Sequence, residues 1–423
     1  MIPIILALSL IVPLVPSDPS TDWHQWRGPN RDGAVVSSRL PKKWPEKFPA
    51  PKWTAKIGIG YSSPVISEGR VFVMSQEKVG EESCLCYDAN TGKRLWEVKY
   101  PCTFEPPDPT AGKGPNSTPT VDKDRVYMLG LGGMFHCLDV KTGKVLWKHN
   151  LQKECWGVEK NEKLGDDAWF PPCGATASAL VDGKQIILPV GGKKVGAVAA
   201  FDRETGKVMW HELPERSSYA SPLLVDLAGR RQYVAFTGLR MTGLDAVSHK
   251  LLWEFPFKAM FEQTICTPVV WKDHVIVSGE GRPTTCLKIT YADGKLKQEE
   301  AWKSAELRTY LVTPIVVKDH LIGWDQGTKK IVCLDLNTGK ASWTSTSRMG
   351  KMIITLVNAG DQILALTDSG DMFAIDPNPT TFTEKGHWKV SEAGNIWSYP
   401  AISGSRIYIK DKENLICYDV GAG

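Results

Sequence analysis

Short runs of β-branched and aromatic residues recur along the whole chain, separated by turns rich in Gly, Asp and Asn. RVFVM (Arg70 to Met74), RVYML (Arg125 to Leu129), HVIVS (His274 to Ser278) and RIYIK (Arg406 to Lys410) are examples. Runs of this length, bounded by turn formers, predict strands rather than helices. Two phrases set the rhythm. The first is Asp-x-x-Thr-Gly-Lys-x-x-Trp, present as Asp88 to Trp96, Asp139 to Trp147, Asp202 to Trp210 and Asp335 to Trp343. Asp245 to Trp253 is a degenerate copy, and Asp293 to Trp302 and Asp376 to Trp388 keep the Trp after a longer turn. The second phrase precedes each of these: a small or hydroxyl residue, Pro, then an apolar pair. It occurs at Ser63-Pro64, Thr118-Pro119, Ser221-Pro222, Thr267-Pro268, Thr313-Pro314 and Tyr399-Pro400, with weaker versions near Thr176 and Thr355.

Each unit therefore reads as four strands: A with the Pro phrase, B the apolar run, C ending at the Asp, D carrying the Trp. Units begin near residues 61, 116, 174, 219, 265, 311, 353 and 397. A period of roughly 40 to 60 residues fits propeller blades. The last unit lacks strand D and ends at Cys417 to Val420, whereas Lys52 to Ile57 carries a Trp with no A, B or C before it. The expected architecture is all-β: an eight-bladed β-propeller of four-stranded antiparallel blades over 51–423, the last blade closed by the N-terminal strand. Closure removes two exposed sheet edges. The strand-D indoles are then Trp53, Trp96, Trp147, Trp210, Trp253, Trp302, Trp343 and Trp388.

Composition adds little to this except at the ends. The chain has 423 residues, 16 of them Trp, and a net charge of +4 that is spread along it and does not suggest a nucleic-acid partner. Ile2 to Val15 is the only long apolar run and is too short to span a bilayer comfortably. It reads as a signal peptide at 1–17, followed by a lead-in segment at 18–50, so the expected location is periplasmic or extracellular. A buried N-terminal segment is the other reading of the same run.

The small residue two positions before each Asp leaves room for a flat indole: Cys86, Cys137, Ala200, Gly243, Cys333, Ala374 and Cys417. The resulting pattern Ala/Cys-x-Asp-x-x-Thr-Gly-Lys-x-x-Trp closely resembles the tryptophan-docking repeat of the pyrroloquinoline-quinone (PQQ)-type propellers. That family includes eight-bladed quinoprotein alcohol dehydrogenases, the lipoprotein of the outer-membrane β-barrel assembly machinery and many secreted propellers. The resemblance covers about residues 51 to 420. The lead-in Trp23 to Gly33 is similar to the start of secreted propellers of planctomycete-like bacteria. Fold is implied strongly by this resemblance and activity is not.

Ten cysteines in an exported chain invite disulfides. Most fall on strand positions as small core residues; Cys155–Cys173 would close a local loop and is the expected pair. No metal-ligand spacing, P-loop, nucleophile elbow or dinucleotide fingerprint is present. Alternating strand direction places D–A and B–C connections on one face, and the long connections are D–A. Ligand-binding candidates there are Glu105, Asp108, Trp156, Asp166, Asp167, Trp169, Arg308 and Tyr310, with Arg282, Trp324 and Asp325 from B–C loops and Tyr61 and Trp397 near the mouth of the central channel. The bland reading is that these aromatics pack loops onto the rim. The function expected is a non-catalytic binding or scaffold propeller, a monomer that takes an envelope or secreted protein or a polysaccharide on the loop-rich face, with no cofactor, metal or membrane span. The alternative is a PQQ- and calcium-dependent dehydrogenase of alcohols or sugars. A hydrolase or lyase using rim carboxylates is a third class without a specific signal.

Overall fold

The computed structural model describes residues 22–102, 104, 113–156, 173–191, 196–260 and 263–421. The segment read as a signal peptide lies outside the described residues. The strands form eight four-stranded antiparallel sheets in the order A-B-C-D. The eighth sheet is composite: Trp53–Lys56 pairs antiparallel with Asn414–Asp419, Trp53 opposite Cys417. Blade number, strand order and closure by the N-terminal strand are as the repeats predict. No helix among the described residues is long and apolar enough to cross a membrane.

The repeated phrases have separate structural jobs. In the C–D turns Asp88 Oδ1 accepts bonds from the Asn90 and Thr91 amides and the Thr91 hydroxyl at 2.7–3.0 Å. Gly92 holds φ +70°, and a Cβ there would lie 2.6 Å from the Trp53 ring. Each conserved-pattern turn is thus the seat for the indole of the preceding blade: Trp96 on Gly143, Trp147 on Gly206, Trp302 on Gly339. The indole N–H then donates to a backbone carbonyl of that next blade, as from Trp53 to Ala89, Trp96 to Val140 and Trp302 to Leu336. Across the C–D pair the indole sits opposite the small residue, Cys86 facing Trp96 and Cys333 facing Trp343. Two blades depart from this. In blade 5 the C–D hairpin is extended (Arg282–Ala292 and Lys295–Ser304), so Cys286 is the residue facing Trp302. In blade 7 Trp388 faces Met372, and Gly386 takes the place opposite Ala374.

The hydroxyl–Pro phrase builds a girdle around the axis. The Ser63 amide donates to Thr118 Oγ1, Thr118 to Ser178 Oγ, and Ser178 to Ser221 Oγ, at 2.9–3.1 Å. On the other side Thr267 donates to Thr313 Oγ1, Thr313 to the Tyr399 hydroxyl, and Tyr399 back to Ser63 Oγ, at 2.8–3.0 Å. Each bond joins the innermost strand region of one blade to another, and the long Tyr399 side chain reaches past blade 7. These amides would otherwise be buried without a partner.

Candidate functional site

The lead-in segment is part of the ring rather than a tail before it. Its backbone and side chains touch nearly every blade. The Trp23 carbonyl accepts from the Ile66 amide of blade 1 and the His24 carbonyl from Val121 of blade 2. Arg31 donates to the Ser178 and Ala179 carbonyls of blade 3, at 2.9 and 2.8 Å, and Arg27 to the Pro314 carbonyl of blade 6, at 2.7 Å. Trp26 Nε1 donates to Thr267 Oγ1 of blade 5, and its ring meets Tyr399 of blade 8 edge-on with centroids 4.9 Å apart. The Val35 amide donates to the Asn358 carbonyl of blade 7. Both guanidiniums are fully buried, and burial depresses their pKa values. The segment plugs the axial channel and divides it in two.

On the A–B side of this plug lies a space of about 550 Å³ bordered by Arg27, Asn30, Arg31 and later strand-A residues such as Leu180, Val269 and Val316. On the D–A side lies a cup of about 260 Å³ to which all eight blades contribute. Trp26 lies at its base. Tyr61, Tyr219, Tyr310, Trp397 and Tyr399 line it, with Asn116, Gln263, Cys173 and the hydroxyls of Thr176, Ser221, Thr267 and Thr313 between them. Tyr61 and Trp397 form a tilted pair, centroids 4.8 Å apart at 35°. The Tyr310 hydroxyl donates to Gln263 Oε1, whose amide nitrogen donates to Cys173 Sγ at 3.7 Å. Asn116 Oδ1 is buried with no hydrogen-bond partner. Burial raises the Tyr219, Tyr310 and Tyr399 hydroxyls above the usual phenol range, so they stay protonated. Among the described residues the lining carries no carboxylate, lysine, arginine or histidine.

The sequence candidates separate accordingly. Tyr61, Tyr310 and Trp397 line the cup. Trp324 is buried in the blade 6–7 core and donates to the Met349 carbonyl at 2.9 Å. Asp325 is buried and staples the B–C turn, accepting from the Thr328 amide and hydroxyl and from the Arg308 amide. Arg308 pairs with it at 3.4 Å. Arg282 opens strand C of blade 5 and lies over the Phe257 ring at 5.5 Å. None of these four borders the cup. Glu105, Asp108, Asp166, Asp167 and Trp169 lie outside the described residues, as does the Trp156 side chain. The expected Cys155–Cys173 disulfide is not formed: the cysteines are thiols. Cys155 packs with Leu129, Leu151 and Ala175 between blades 2 and 3, whereas Cys173 faces the cup. The sequence candidates omit Trp26, Asn116, Tyr219, Gln263 and Tyr399. Asn116 and Tyr219 stand three residues before the Pro of the repeated phrase, in the register of Tyr61 and Trp397, and Tyr399 one residue before it, so the repeat itself carried their signal, whereas Trp26 and Gln263 stand outside the phrase.

PQQ is a tricarboxylate quinone, and calcium takes roughly six to eight oxygen ligands with carboxylates among them. The described lining supplies neither cations for the one nor carboxylates for the other. Among the described residues no group of three or more His, Cys, Asp or Glu could hold a metal ion. The described part of the cup thus offers PQQ no cation and calcium no carboxylate.

Similarity to known proteins is broad in fold and local in sequence. The dehydrogenase subunit of the quinone alcohol dehydrogenase from Gluconacetobacter polyoxogenes is 34% identical over 134 residues, covering 29% of this chain and 16% of that protein. Polyvinylalcohol dehydrogenase from Pseudomonas sp. is 30% identical over 150 residues, covering 30% of this chain and 23% of that protein. The chain thus matches less than a quarter of the length of either. Among solved structures, BamB from Moraxella catarrhalis superposes with a TM-score of 0.59 at 15% identity, covering 88% of this chain and 97% of that one. Quinohemoprotein alcohol dehydrogenase from Comamonas testosteroni gives 0.62 at 13%, covering 96% and 82%. These likenesses show the fold alone. The family profile described as outer membrane protein assembly factor BamB matches residues 46–164, 81–345 and 194–423. Matched in this way over most of its length, the chain belongs to that PQQ_2 family.

Proposed function

We propose that the protein is an exported, non-catalytic binding propeller that receives its ligand in the axial cup on the D–A face. The observation that carries this reading is the chemistry of the cup. It is closed at its base by Trp26, rich in aromatic faces and hydroxyls, and without acid, base or cation among the described lining residues. General acid–base and nucleophilic catalysis both need a titratable group poised near the working pH. Recognition needs only shape, apolar surface and a few convergent polar groups. Export, and a periplasmic or extracellular location, are supported by the apolar N-terminal run and by the envelope role printed in the family's description.

The test is a titration of the purified chain with PQQ and calcium, followed by dye reduction with ethanol and with glucose. No cofactor uptake at micromolar concentration and no dye reduction are expected. Sustained turnover would overturn the reading in favour of a quinone-dependent dehydrogenase.

A further inference from the structure

We infer that the cup binds the end of a neutral saccharide, one ring deep; this rests on the reading of the cup as a binding site. A sugar ring presents a face of C–H groups and an edge of hydroxyls. The cup presents the matching pair of surfaces. Tyr61, Trp397 and Trp26 offer aromatic surface, where C–H groups gain burial against the electron-rich ring faces. Asn116 and Gln263 add amide groups to the same wall, and Thr176 and Ser221 add hydroxyls, the polar complement of a sugar's hydroxyl edge. A sugar's hydroxyls can bond to such groups, whereas a purely apolar ligand offers them nothing.

The described lining offers charged candidates no partner of opposite sign. A cationic head group, the usual occupant of an aromatic cage, would find Arg27 and Arg31 buried beneath the floor with no carboxylate bonded to either guanidinium. An anion would find no cation in the described lining, because both guanidiniums already donate to backbone carbonyls and border the space beyond the plug. Burying an unpaired charge is far costlier than burying a hydroxyl that finds a partner. The volume sets the depth. About 260 Å³ falls just below the range of pockets for drug-sized ligands, roughly 300–1,000 Å³, and accommodates a terminal ring rather than a chain. The next unit has a path outward. An adjoining trough of about 340 Å³ shares Met352 and Trp397 with the cup and is otherwise polar, with Asp368, Lys389 and Glu392 along it.

The experiment is calorimetric titration of the full chain with cellotriose, maltotriose, mannotriose and chitotriose, and with trigalacturonate and choline as charged probes. At least one neutral trisaccharide is expected to bind with a Kd of about 1 mM or tighter. Trp397→Ala and Asn116→Ala should each weaken it by about tenfold, a change worth about 1.4 kcal/mol, while Val247→Ser on the exposed blade 4 turn leaves it unchanged. Circular dichroism of each variant reports folding, and Tyr61→Phe provides a milder probe of the same wall. The inference falls if no neutral trisaccharide binds, if Trp397→Ala and Asn116→Ala bind as tightly as the parent, or if trigalacturonate or choline binds more tightly than every neutral sugar. Silence from all sugars without dye reduction removes the saccharide alone; dye reduction with PQQ and calcium removes the non-catalytic reading, whatever the sugars do.

Discussion

His249 stands in the degenerate fourth turn where the other turns have glycine, and it holds φ +62°. A left-handed non-glycine residue costs about 1–2 kcal/mol. The ring of Trp210 lies on the imidazole at 4.3 Å and 14°, a contact glycine could not make. His249→Gly should therefore change the unfolding midpoint by the equivalent of less than about 1 kcal/mol, since strain relief and lost stacking oppose each other. Gly92→Ala has no such offset: its Cβ would strike the Trp53 ring at a positive φ, and a loss of about 2 kcal/mol is expected in the same denaturant titration. His136 carries the pH prediction. It is buried against Tyr100, and burial, with the Lys148 charge, lowers its pKa from 6.5 to about 4. The unfolded chain takes up this proton first as pH falls, so stability drops from about pH 6.5 down to about pH 4, by about 3 kcal/mol at most. Glu82, whose pKa burial raises, works in the opposite sense. His136→Phe isolates the histidine, and its stability measured at pH 7 and pH 5 should differ less than the parent's. The turn phrase was legible because Asp, Gly and Trp answer to local geometry. His249 shows only that the glycine position tolerates exchange, and the partner that makes it tolerable comes from another blade.

Between blades the girdle of hydroxyls matters more than any one strand. Tyr399→Phe would leave the Thr313 amide without its acceptor, and a loss of about 1–3 kcal/mol in the thermal or denaturant midpoint is expected. Thr313→Val, which removes the acceptor for the Thr267 amide, should cost a similar amount. The hydroxyl–Pro phrase was visible as a repeat, but its purpose was not, because donor and acceptor always belong to different units. Blade 7 shows the same limit. Its Trp388 docks on the lead-in, donating to the Pro45 carbonyl beside Trp44 and Phe48, since the turn it would otherwise meet is absent from the composite eighth blade.

At the scale of the whole ring, the sequence told how many blades there are and how they close, and did not tell what fills the axis. Residues 23–35 have no period and no strand pattern, so nothing marks them as a plug. The cup lining is drawn largely from the positions one and three before the Pro of the repeated phrase, a register visible along the chain whose convergence on one site appears only when the ring closes. Arg31→Ala tests the plug directly. It removes two bonds to blade 3 and should lower the unfolding midpoint by about 2–4 kcal/mol while exposing the channel to solvent; hydrogen exchange at the Ala34 and Val35 amides is the local readout. The composite sheet carries a consequence for synthesis. A ribosome emits Trp53–Lys56 long before its partner strand Asn414–Asp419. Seven sheets can assemble in order as the chain emerges, but the early strand must wait, unpaired, until the final hairpin arrives. During that wait it can add itself to the same hairpin of a neighbouring copy, a route to strand-exchanged dimers.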